Sequence, residues 1–487
     1  MEAAQLSILI TEIFTILFTL TIIFIAIVIF FENDDPSKTV TWLVILVFLP
    51  IVGFLLYMLI GRKFRKIKRY RKKGVTNLTE LSKIIKDEVK LINEGQKFIE
   101  EHIPQKKRLI NLIINSACAP FTANNRTEVL NNGSDTYQNF LEAMEKAQHH
   151  IHLEFYIFRD DNIGTHIQKL LIKKAREGVE VRLIYDGYGS LNLDKNFLAE
   201  LETNGVKTVC FSPLFIPIRN KRIDYRNHRK ILVVDGKIGF VGGINIGDEY
   251  LGKSTEFSYW RDTHLRLEGD SVKFLQQIFL QDWCFAAKEK IEGPKYYPPC
   301  NNVLGKQLIQ IAASGPDSPW ESIMQMYFSM IATAEKSIYL TTPYFIPNES
   351  IHMALKNAAL SGLDVRIIIP GKPDSKFVLW ASISYLNRLL EAGVRVYQYQ
   401  KGFIHAKTLV VDSLVSSIGT ANMDVRSFKL NFEVNAFVYN ENVSKKLEED
   451  FFNDLNNCKE INYNDYKNRP LWEKFLESLA RLFSPLL

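Results

Sequence analysis

Two short motifs of one type are the strongest chemical signal in this 487-residue sequence. Each reads HxKxxxxD, first as HRKILVVD and again as HAKTLVVD. In an extended strand, residues two apart project from the same face, so each His and its Lys point the same way. Two such strands facing each other would place two imidazoles and two ammonium groups around one phosphate. The residues predicted to be catalytic are His228, Lys230, Asp235, His405, Lys407 and Asp412.

The two copies continue to agree downstream of the motifs. Asn245 and Asn422 end the matching sequences GGIN and GTAN, and Glu256 and Glu433 each lie 28 residues past their His. Lys and Asn donors can stabilise charge on the nonbridging oxygens of a phosphodiester without a metal. A carboxylate that accepts from the far ring nitrogen fixes the tautomer of a reacting His. These four residues are therefore predicted to support catalysis, and no metal or cofactor is expected.

The two histidines are suited to complementary roles. Because an unperturbed imidazole titrates near about 6.5, one ring can be neutral and nucleophilic while the other is protonated and acidic. We predict that His228 attacks phosphorus and that His405 protonates the departing alcohol, although the sequence allows the reverse assignment. The motif aspartates, Asp235 and Asp412, are expected mainly to anchor the turn after each strand.

An internal repeat surrounds the motifs. Residues 173–187 (KKAREGVEVRLIYDG) match residues 356–371 (KNAALSGLDVRIIIPG) as a helix, a Gly and a buried strand. Amphipathic helices that alternate with Val- and Ile-rich strands indicate α/β units. The predicted fold is therefore α/β, with two duplicated domains whose mostly parallel sheets form one pseudo-twofold site.

Two apolar stretches precede the repeat. Residues 5–31 contain a single charge, Glu12, and residues 39–60 contain none, while a membrane span needs about 20 apolar residues. Nine basic residues follow between positions 62 and 73, whereas the connector ENDDPSK is mainly acidic. Because basic flanks stay cytoplasmic, this pattern predicts a transmembrane helical hairpin in the plasma membrane with the catalytic domains in the cytoplasm. The basic block would lie against anionic lipids.

Charge and cysteine content disfavour two other classes of protein. The formal net charge of +6 depends on the basic block, because the chain without its nine cations carries −3. Such a body lacks the broad positive surface of a nucleic-acid binder. The five cysteines are scattered without metal-site spacing, which indicates reduced thiols and no structural metal.

The motifs resemble those of the phospholipase D superfamily. Over its whole length the chain is similar to bacterial cardiolipin synthases, in segments such as YRNHRKILVVDG, WRDTHLRLEG, TPYFIP, GFIHAKTLVVD and NMDVRSFKLNFE. The resemblance implies transfer of a phosphatidyl group from one phosphatidylglycerol to another, with release of glycerol, through a covalent phosphatidyl-histidine. This reaction exchanges one phosphodiester for another and therefore needs no nucleotide.

The acceptor remains open from the residues alone. Water would make the protein a phospholipase D hydrolase, and serine or phosphatidylethanolamine would make it another phosphatidyltransferase. A membrane-bound nuclease is disfavoured by the apolar stretches and the net-negative body. A binding scaffold is disfavoured because both motifs are complete. The sequence makes no prediction of oligomeric state.

Further expectations concern flanking segments and boundaries. The residues predicted to hold lipid headgroups are Tyr156, Arg226, Tyr344, Lys401 and Arg426. Apolar residues from 472 to 483 recur at helical spacing, which predicts an amphipathic C-terminal helix that docks on the body or enters the membrane surface. The predicted segments are 1–74 (hairpin, spans about 6–31 and 39–61, and basic block), 75–110 (amphipathic helical linker), 111–292 (first domain), 293–319 (linker) and 320–487 (second domain).

Overall fold

The computed structural model describes residues 2–31, 36–49, 52–53, 56–57, 107–117, 119–213, 225–253, 257–300 and 305–484. Four predicted features fall wholly or partly outside these residues: the later part of the second span, the basic block, most of the amphipathic linker, and Glu256. The described chain consists mainly of two mixed β-sheets with helices packed against them.

The N-terminal elements are α1 (Glu2–Phe31), α2 (Pro36–Phe48), α3 (Lys107–Ala117) and β1 (Phe121–Thr122). Among the residues that the structure describes, no helix combines the length and the hydropathy needed to cross a membrane. The predicted transmembrane hairpin is therefore not confirmed.

The first half contains one seven-stranded sheet. Its elements are β2 (Asn125–Asn131), α4 (Asn132–Glu145), β3 (His150–Phe155), α5 (Asn162–Arg176), β4 (Glu180–Asp186), α6 (Lys195–Thr203), β5 (Lys207–Phe211), β6 (Ile231–Val234), β7 (Ile238–Gly242), β8 (Trp260–Arg261), β9 (Thr263–Gly269) and α7 (Val272–Ala287). The strands of the sheet follow the order β2-β9-β7-β6-β3-β4-β5. Short 3₁₀ helices at Asp248–Leu251 and Pro294–Tyr296 complete this half.

The second half is built around a nine-stranded sheet. Its elements are β10 (Leu308–Ser314), α8 (Ser322–Ala332), β11 (Ser337–Thr341), β12 (Phe345–Ile346), α9 (Glu349–Leu360), β13 (Asp364–Pro370), α10 (Lys376–Ser384), α11 (Asn387–Glu391), β14 (Arg395–Tyr399), β15 (Phe403–Ile404), β16 (Thr408–Val411), β17 (Val415–Gly419), β18 (Met423–Asp424), α12 (Val425–Lys429), β19 (Glu433–Tyr439), α13 (Glu441–Leu455), β20 (Cys458–Glu460), α14 (Tyr463–Lys467) and α15 (Leu471–Phe483). The sheet order is β1-β10-β19-β17-β16-β11-β13-β14-β20.

The prediction of mostly parallel sheets is wrong, because both sheets are mixed. Strands β3, β4 and β5 pair in parallel, since helices α5 and α6 return the chain to the same edge each time. Strands β6 and β7, in contrast, are joined by the tight turn at Asp235–Lys237 and pair antiparallel. The second half repeats the same contrast between β11-β13-β14 and β16-β17.

The strand orders of the two sheets correspond, as expected of a duplication. The order β2-β9-β7-β6-β3-β4-β5 corresponds to β10-β19-β17-β16-β11-β13-β14, and the nine-stranded sheet adds β1 and β20 at its edges. Strand β10 lies inside the segment predicted as a linker, and β1 pairs with β10 although it precedes the first half. A shared core joins the sheets, with Val233 and Leu265 from one half and Ile418 and Val434 from the other.

Candidate active site

Each catalytic motif leads into a buried strand and pairs with the opposite half of the chain. His228 and Lys230 immediately precede β6, and the His228 amide donates to the carbonyl of Phe432 at 3.0 Å. His405 and Lys407 immediately precede β16, and the His405 amide donates to the carbonyl of Arg261 at 2.7 Å. Both motifs therefore lie at the junction of the two halves.

The imidazoles are held by carboxylates that also cross this junction. His228 Nδ1 lies 3.0 Å from both carboxylate oxygens of Glu433. His405 Nδ1 lies 2.8 Å from Oδ2 of Asp262. Because Nδ1 donates in each pair, Nε2 is left as the nitrogen available for nucleophilic attack or proton transfer.

The partner of His405 was not found by sequence spacing, which had selected Glu256. Sheet register places Asp262 as the counterpart of Glu433: Gly242 pairs with His264 and Gly419 with Asn435, and each carboxylate lies two residues before the second member. Twenty residues separate Gly242 from Asp262, whereas fourteen separate Gly419 from Glu433. The first half is thus longer here, and an equal-spacing comparison could not find the equivalent residue.

The two carboxylates are held differently. Glu433 accepts a hydrogen bond from Thr420 Oγ1 and another from Asn431 Nδ2, the latter at 3.2 Å. Asp262 accepts from the amide of Thr263 at 2.8 Å. At the position that matches Thr420 stands Gly243, where a Cβ atom would come within 2.0 Å of the Asp262 carboxylate. Glycine at 243 therefore leaves room for the shorter carboxylate to approach its histidine.

The motif lysines are buried beside the histidines. Lys230 Nζ donates to the carbonyl of His228 at 2.8 Å, and Lys407 Nζ donates to the carbonyl of His405 at 2.5 Å. The Lys230 ammonium also lies 5.5 Å from the ring centroid of Tyr156. Each ammonium retains further N–H groups that can reach an anionic ligand.

Burial lowers the basicity of these four groups. Burial, with the neighbouring lysines, lowers the pKa of His228 to about 4 and that of His405 to about 3, although Glu433 and Asp262 oppose the change. Burial likewise lowers the pKa of Lys230 to about 7 and that of Lys407 to about 8. An anion in the site would reverse these shifts, because it favours the protonated forms.

The motif aspartates lie at the other end of the motif strands. Asp235 accepts backbone N–H bonds from Gln148, His149 and His150 at 2.7 to 2.9 Å. Asp412 accepts in the same way from residues 335 to 337. Both have left-handed backbone, with φ of 55° and 56°. Each side chain thus fixes a turn onto the beginning of the neighbouring strand.

The supporting asparagines lie in local networks. The Asn245 amide nitrogen donates to the Tyr250 hydroxyl at 3.0 Å, and its oxygen accepts from the Ile157 amide at 3.1 Å. The backbone amide of Asn422 donates to Ser427 Oγ at 3.2 Å, while its side-chain oxygen is buried without a hydrogen-bond partner. In this structure Asn245 orders the loop after its strand, and Asn422 has spare hydrogen-bonding capacity.

The predicted headgroup residues lie in different surroundings. The ring centroid of Tyr156 is 5.0 Å from that of His228, and the charges of Arg426 and Arg226 both act on the Tyr156 hydroxyl, whose pKa is raised mainly by burial. The Arg226 guanidinium lies 3.7 Å from Asp186 and stacks over Tyr188.

On the second half, Tyr344 donates its hydroxyl to Asp374. Lys401 Nζ lies 4.3 Å from the ring centroid of Tyr259. An aromatic neighbour that spacing did not single out is Trp260, whose ring centroid lies 5.3 Å from that of His405. Within the described part of the chain, no group of three or more His, Cys, Asp or Glu side chains could hold a metal ion.

Comparisons with known proteins define first the class and then the family. Residues 140–283 and 327–455 match the family described as "Cardiolipin synthase, PLD-like domain", and residues 19–62 match the family described as "Phospholipase_D-nuclease N-terminal". A solved structure of phosphatidylserine synthase from Haemophilus influenzae shares the fold, with a TM-score of 0.60 at 15% identity over 79% of this chain and 100% of that chain. The fold is thus that of a duplicated phospholipase D-like protein.

Similarity to curated proteins extends over nearly the whole sequence. The chain is 48% identical to a cardiolipin synthase of Alkalihalophilus pseudofirmus, covering 97% of this chain and 93% of the relative. It is 44% identical to the major cardiolipin synthase ClsA of Bacillus subtilis, covering 97% and 98%. The chain belongs to the cardiolipin synthase family of phospholipase D-like proteins.

Proposed function

We propose that the protein is a cardiolipin synthase, which transfers a phosphatidyl group from one phosphatidylglycerol to a second and releases glycerol. The observation that best supports this function is the pair of crossed contacts, His228 to Glu433 and His405 to Asp262. Two oriented imidazoles around one site can act as nucleophile and as general acid and base.

The first step forms a covalent intermediate. Nε2 of His228 attacks the phosphorus of phosphatidylglycerol, the bond between phosphorus and the glycerol oxygen breaks, and Nε2–H of His405 gives its proton to that oxygen. Lys230 and Lys407 stabilise the charge that develops on the nonbridging oxygens. The negative phosphodiester also supplies the charge that keeps His405 protonated despite its burial.

The second step reverses the roles. A hydroxyl of the second phosphatidylglycerol gives its proton to His405, its oxygen bonds to phosphorus, and the phosphorus–nitrogen bond to His228 breaks. The products are cardiolipin and the original enzyme. Glu433 and Asp262 keep each ring in the tautomer that each step requires.

Tyr156, Arg226 and Arg426 are proposed to hold a headgroup on the His228 side, because the Tyr156 ring adjoins that histidine and both arginine charges act on Tyr156. Tyr344 and Lys401 are proposed to do so on the other side. Asn422 is proposed to contact substrate through its side chain, whose buried oxygen has no hydrogen-bond partner in the structure.

The family match over residues 19–62 supports a membrane role for the N-terminal segment. This proposal retains a helical hairpin with spans at about 6–31 and 39–61, a basic block against anionic lipid, and catalytic halves on the cytoplasmic side of the plasma membrane. The boundaries of the five predicted segments remain part of the proposal, although β1 and β10 both pair within the second sheet.

One assay separates this function from its alternatives. The full chain is reconstituted in phosphatidylglycerol vesicles, and cardiolipin and glycerol are followed by mass spectrometry, with His228→Ala and His405→Ala as controls. Equal amounts of cardiolipin and glycerol from the wild type, and neither from the variants, are expected. Phosphatidic acid as the sole lipid product would establish a hydrolase instead, and a requirement for added serine or phosphatidylethanolamine would establish another transferase.

A further inference from the structure

A basic cleft lies beside the C-terminal helix, on elements that carry neither catalytic motif. It has a volume of about 510 Å³ and is formed by α11, α14, α15 and the residues that join them. Five basic and two acidic side chains line it, which leaves a surplus of three positive charges. The basic residues are Arg388, Lys467, Arg469, Lys474 and Arg481.

Two of these five cations form ion pairs with the acidic side chains of the cleft. Arg388 Nη1 lies 2.9 Å from Glu391, and Arg469 pairs with Glu477. The other three cations make different contacts. Lys467 Nζ lies 6.0 Å from the ring centroid of Tyr463, Lys474 Nζ donates to the carbonyl of Lys467 at 2.7 Å, and Arg481 stacks over the Tyr385 ring at 4.9 Å. The surplus charge is thus carried by Lys467, Lys474 and Arg481.

One face of helix α15 docks on the second half of the protein. Ala480 is buried with Ala381 of α10, and Ser484, just past the helix, bonds the Tyr385 hydroxyl at 2.7 Å. A second face is apolar and faces solvent, with Trp472 61% exposed and Phe475 67% exposed. The members of this exposed apolar face are Leu471, Trp472, Phe475 and Leu479.

The exposed apolar face, the cleft and the docked face occupy three separate sectors of α15. At about 100° per residue, Lys474, Ser478 and Arg481 lie on the sector that adjoins Leu471 and Phe475. A positive sector next to an apolar, aromatic one is the arrangement of helices that lie in a membrane interface. The sequence prediction offered docking or membrane contact as alternatives, and this geometry allows both at once.

Helix α2 adjoins the end of α15 and also exposes apolar side chains. Thr41 of α2 donates to the carbonyl of Leu482 at 3.1 Å, so α2 and the end of α15 are in contact. Large apolar residues of α2 are also exposed, Val47 at 62% and Phe48 at 77%. Large apolar side chains exposed on two adjoining helices are more than a soluble monomer ordinarily exposes, and they indicate a lipid partner.

We propose that α15 rests in the membrane interface and that the basic cleft binds the phosphate of an anionic phospholipid, separately from the catalytic site. The exposed apolar face contacts the acyl chains of the bilayer, and Lys474 and Arg481 face the headgroup. This inference rests on the proposed function only in assuming that the protein works at a bilayer. Its effect is to hold the second half against anionic lipid.

Bromolipid quenching of tryptophan fluorescence tests the apolar contact. The full chain is placed in phosphatidylcholine vesicles that contain phosphatidylglycerol, in the His228→Ala background so that lipid composition stays constant. With brominated acyl chains, Trp472→Phe is expected to remove a distinct quenched component of the emission. Trp320→Phe is the matched control, because Trp320 is 54% exposed elsewhere on the same half. An unchanged quenched fraction in Trp472→Phe would overturn the proposal.

Quenching by two brominated lipids that differ in headgroup charge tests the headgroup site. At equal mole fraction, brominated phosphatidylglycerol is expected to quench Trp472 more strongly than brominated phosphatidylcholine. Lys474→Gln with Arg481→Gln should reduce this preference by roughly tenfold, because each cation near the surface attracts anionic lipid. Lys207→Gln with Lys295→Gln removes two exposed cations from the first half and should leave the preference unchanged. Equal quenching of Trp472 by both lipids, in protein that keeps Lys474 and Arg481, would overturn the proposal that the cleft binds a headgroup.

A second copy of the chain is the competing partner for the exposed apolar face. In that case Trp472 would be shielded from both the bromolipid and a water-soluble quencher, and this result would overturn the lipid assignment. The quenching measurements do not depend on catalysis. If wild-type protein produced no cardiolipin, the proposed function would fail while the lipid contact could still be observed.

Discussion

The substitution Asp262→Asn tests the crossed arrangement of the active site. Asp262 Oδ2 lies 2.8 Å from His405 Nδ1, and both side chains are buried. The contact lowers the pKa of Asp262 although burial alone would raise it, so the carboxylate is charged and favours a protonated ring. Asparagine keeps the size of the side chain but loses that charge, and it can present N–H where the ring also presents N–H.

The expected loss follows from the hydrogen bond and from the tautomer. A buried hydrogen bond to a charged group contributes about 1.5 to 3 kcal/mol, which corresponds to roughly 10- to 100-fold in rate. A ring held in the wrong tautomer can raise the loss to about 10⁴-fold. We therefore expect kcat to fall about 10²- to 10⁴-fold. KM should change little, because Asp262 acts on His405 and not on the lipid.

The assay is cardiolipin formation by the full chain in phosphatidylglycerol vesicles, with thermal unfolding followed in parallel to detect misfolding. Glu256→Gln is the matched control from the same half. Since Asp262 and Glu433 already occupy the two Nδ1 positions, Glu256→Gln should retain near wild-type kcat. A loss smaller than about tenfold in Asp262→Asn, or an equal loss in Glu256→Gln, would refute this reasoning.

Three further predictions concern catalysis, folding and pH. Glu433→Gln should also lower kcat, by roughly 10²- to 10⁴-fold, because the ring of His228 is no longer held. Glycerol should appear more slowly in single-turnover measurements, and glycerol release at the wild-type rate would contradict this prediction. Asp235→Ala should lower the free energy of unfolding by about 3 kcal/mol, measured by denaturation in detergent, because three backbone N–H groups lose a charged acceptor; a change below about 0.5 kcal/mol would exclude the anchoring role. Burial keeps His150 and His152 neutral in the folded state and lowers the pKa of His150 to about 3. Their contribution to stability is therefore complete above about pH 6.5, where an unfolded His is also neutral, and it is lost as the pH falls towards about 3. The free energy of unfolding should fall by about 1.4 kcal/mol per pH unit for each histidine in that window, and a flat profile between about pH 6.5 and 5 would contradict the burial argument.

The sequence was sufficient to predict the duplicated architecture and the family. His228 and His405 could be selected because one spacing recurs in both halves, and the structure places both beside carboxylates at the junction of the sheets. The family assignment is confirmed by relatives that cover nearly the whole chain. Local spacing is informative here because each His and Lys lie within three residues of the strand that follows them.

Features that depend on pairing between distant segments were harder to predict. The sequence analysis overestimated the number of parallel strands. It applied the parallel arrangement of the helix-strand units before each motif to the strands after it, which a tight turn joins in antiparallel pairs. Asp262 was missed because the loop before it is longer than the loop before Glu433, and equal spacing therefore selected Glu256. Only the register of β9 against β7 shows the equivalence.

Some tertiary contacts also cross the predicted segment boundaries. Strand β10 contributes Ile309 and Ile311 to the core between the sheets, although its sequence follows a Pro- and Asn-rich stretch and was assigned to a linker. Helix α3 buries Ile110 and Ile113 in the core of the second half, which follows it by some 200 residues. Composition cannot indicate such partners, since an amphipathic segment fits any complementary apolar surface.

The most direct test of the account is to locate the covalent intermediate. Full-length protein is mixed with phosphatidylglycerol, quenched in base within a single turnover, digested and examined by mass spectrometry for a phosphatidyl group on histidine. The two-step mechanism predicts the adduct on the peptide that contains His228, with none in His228→Ala. An adduct confined to His405, or cardiolipin synthesis undiminished in His228→Ala, would contradict it.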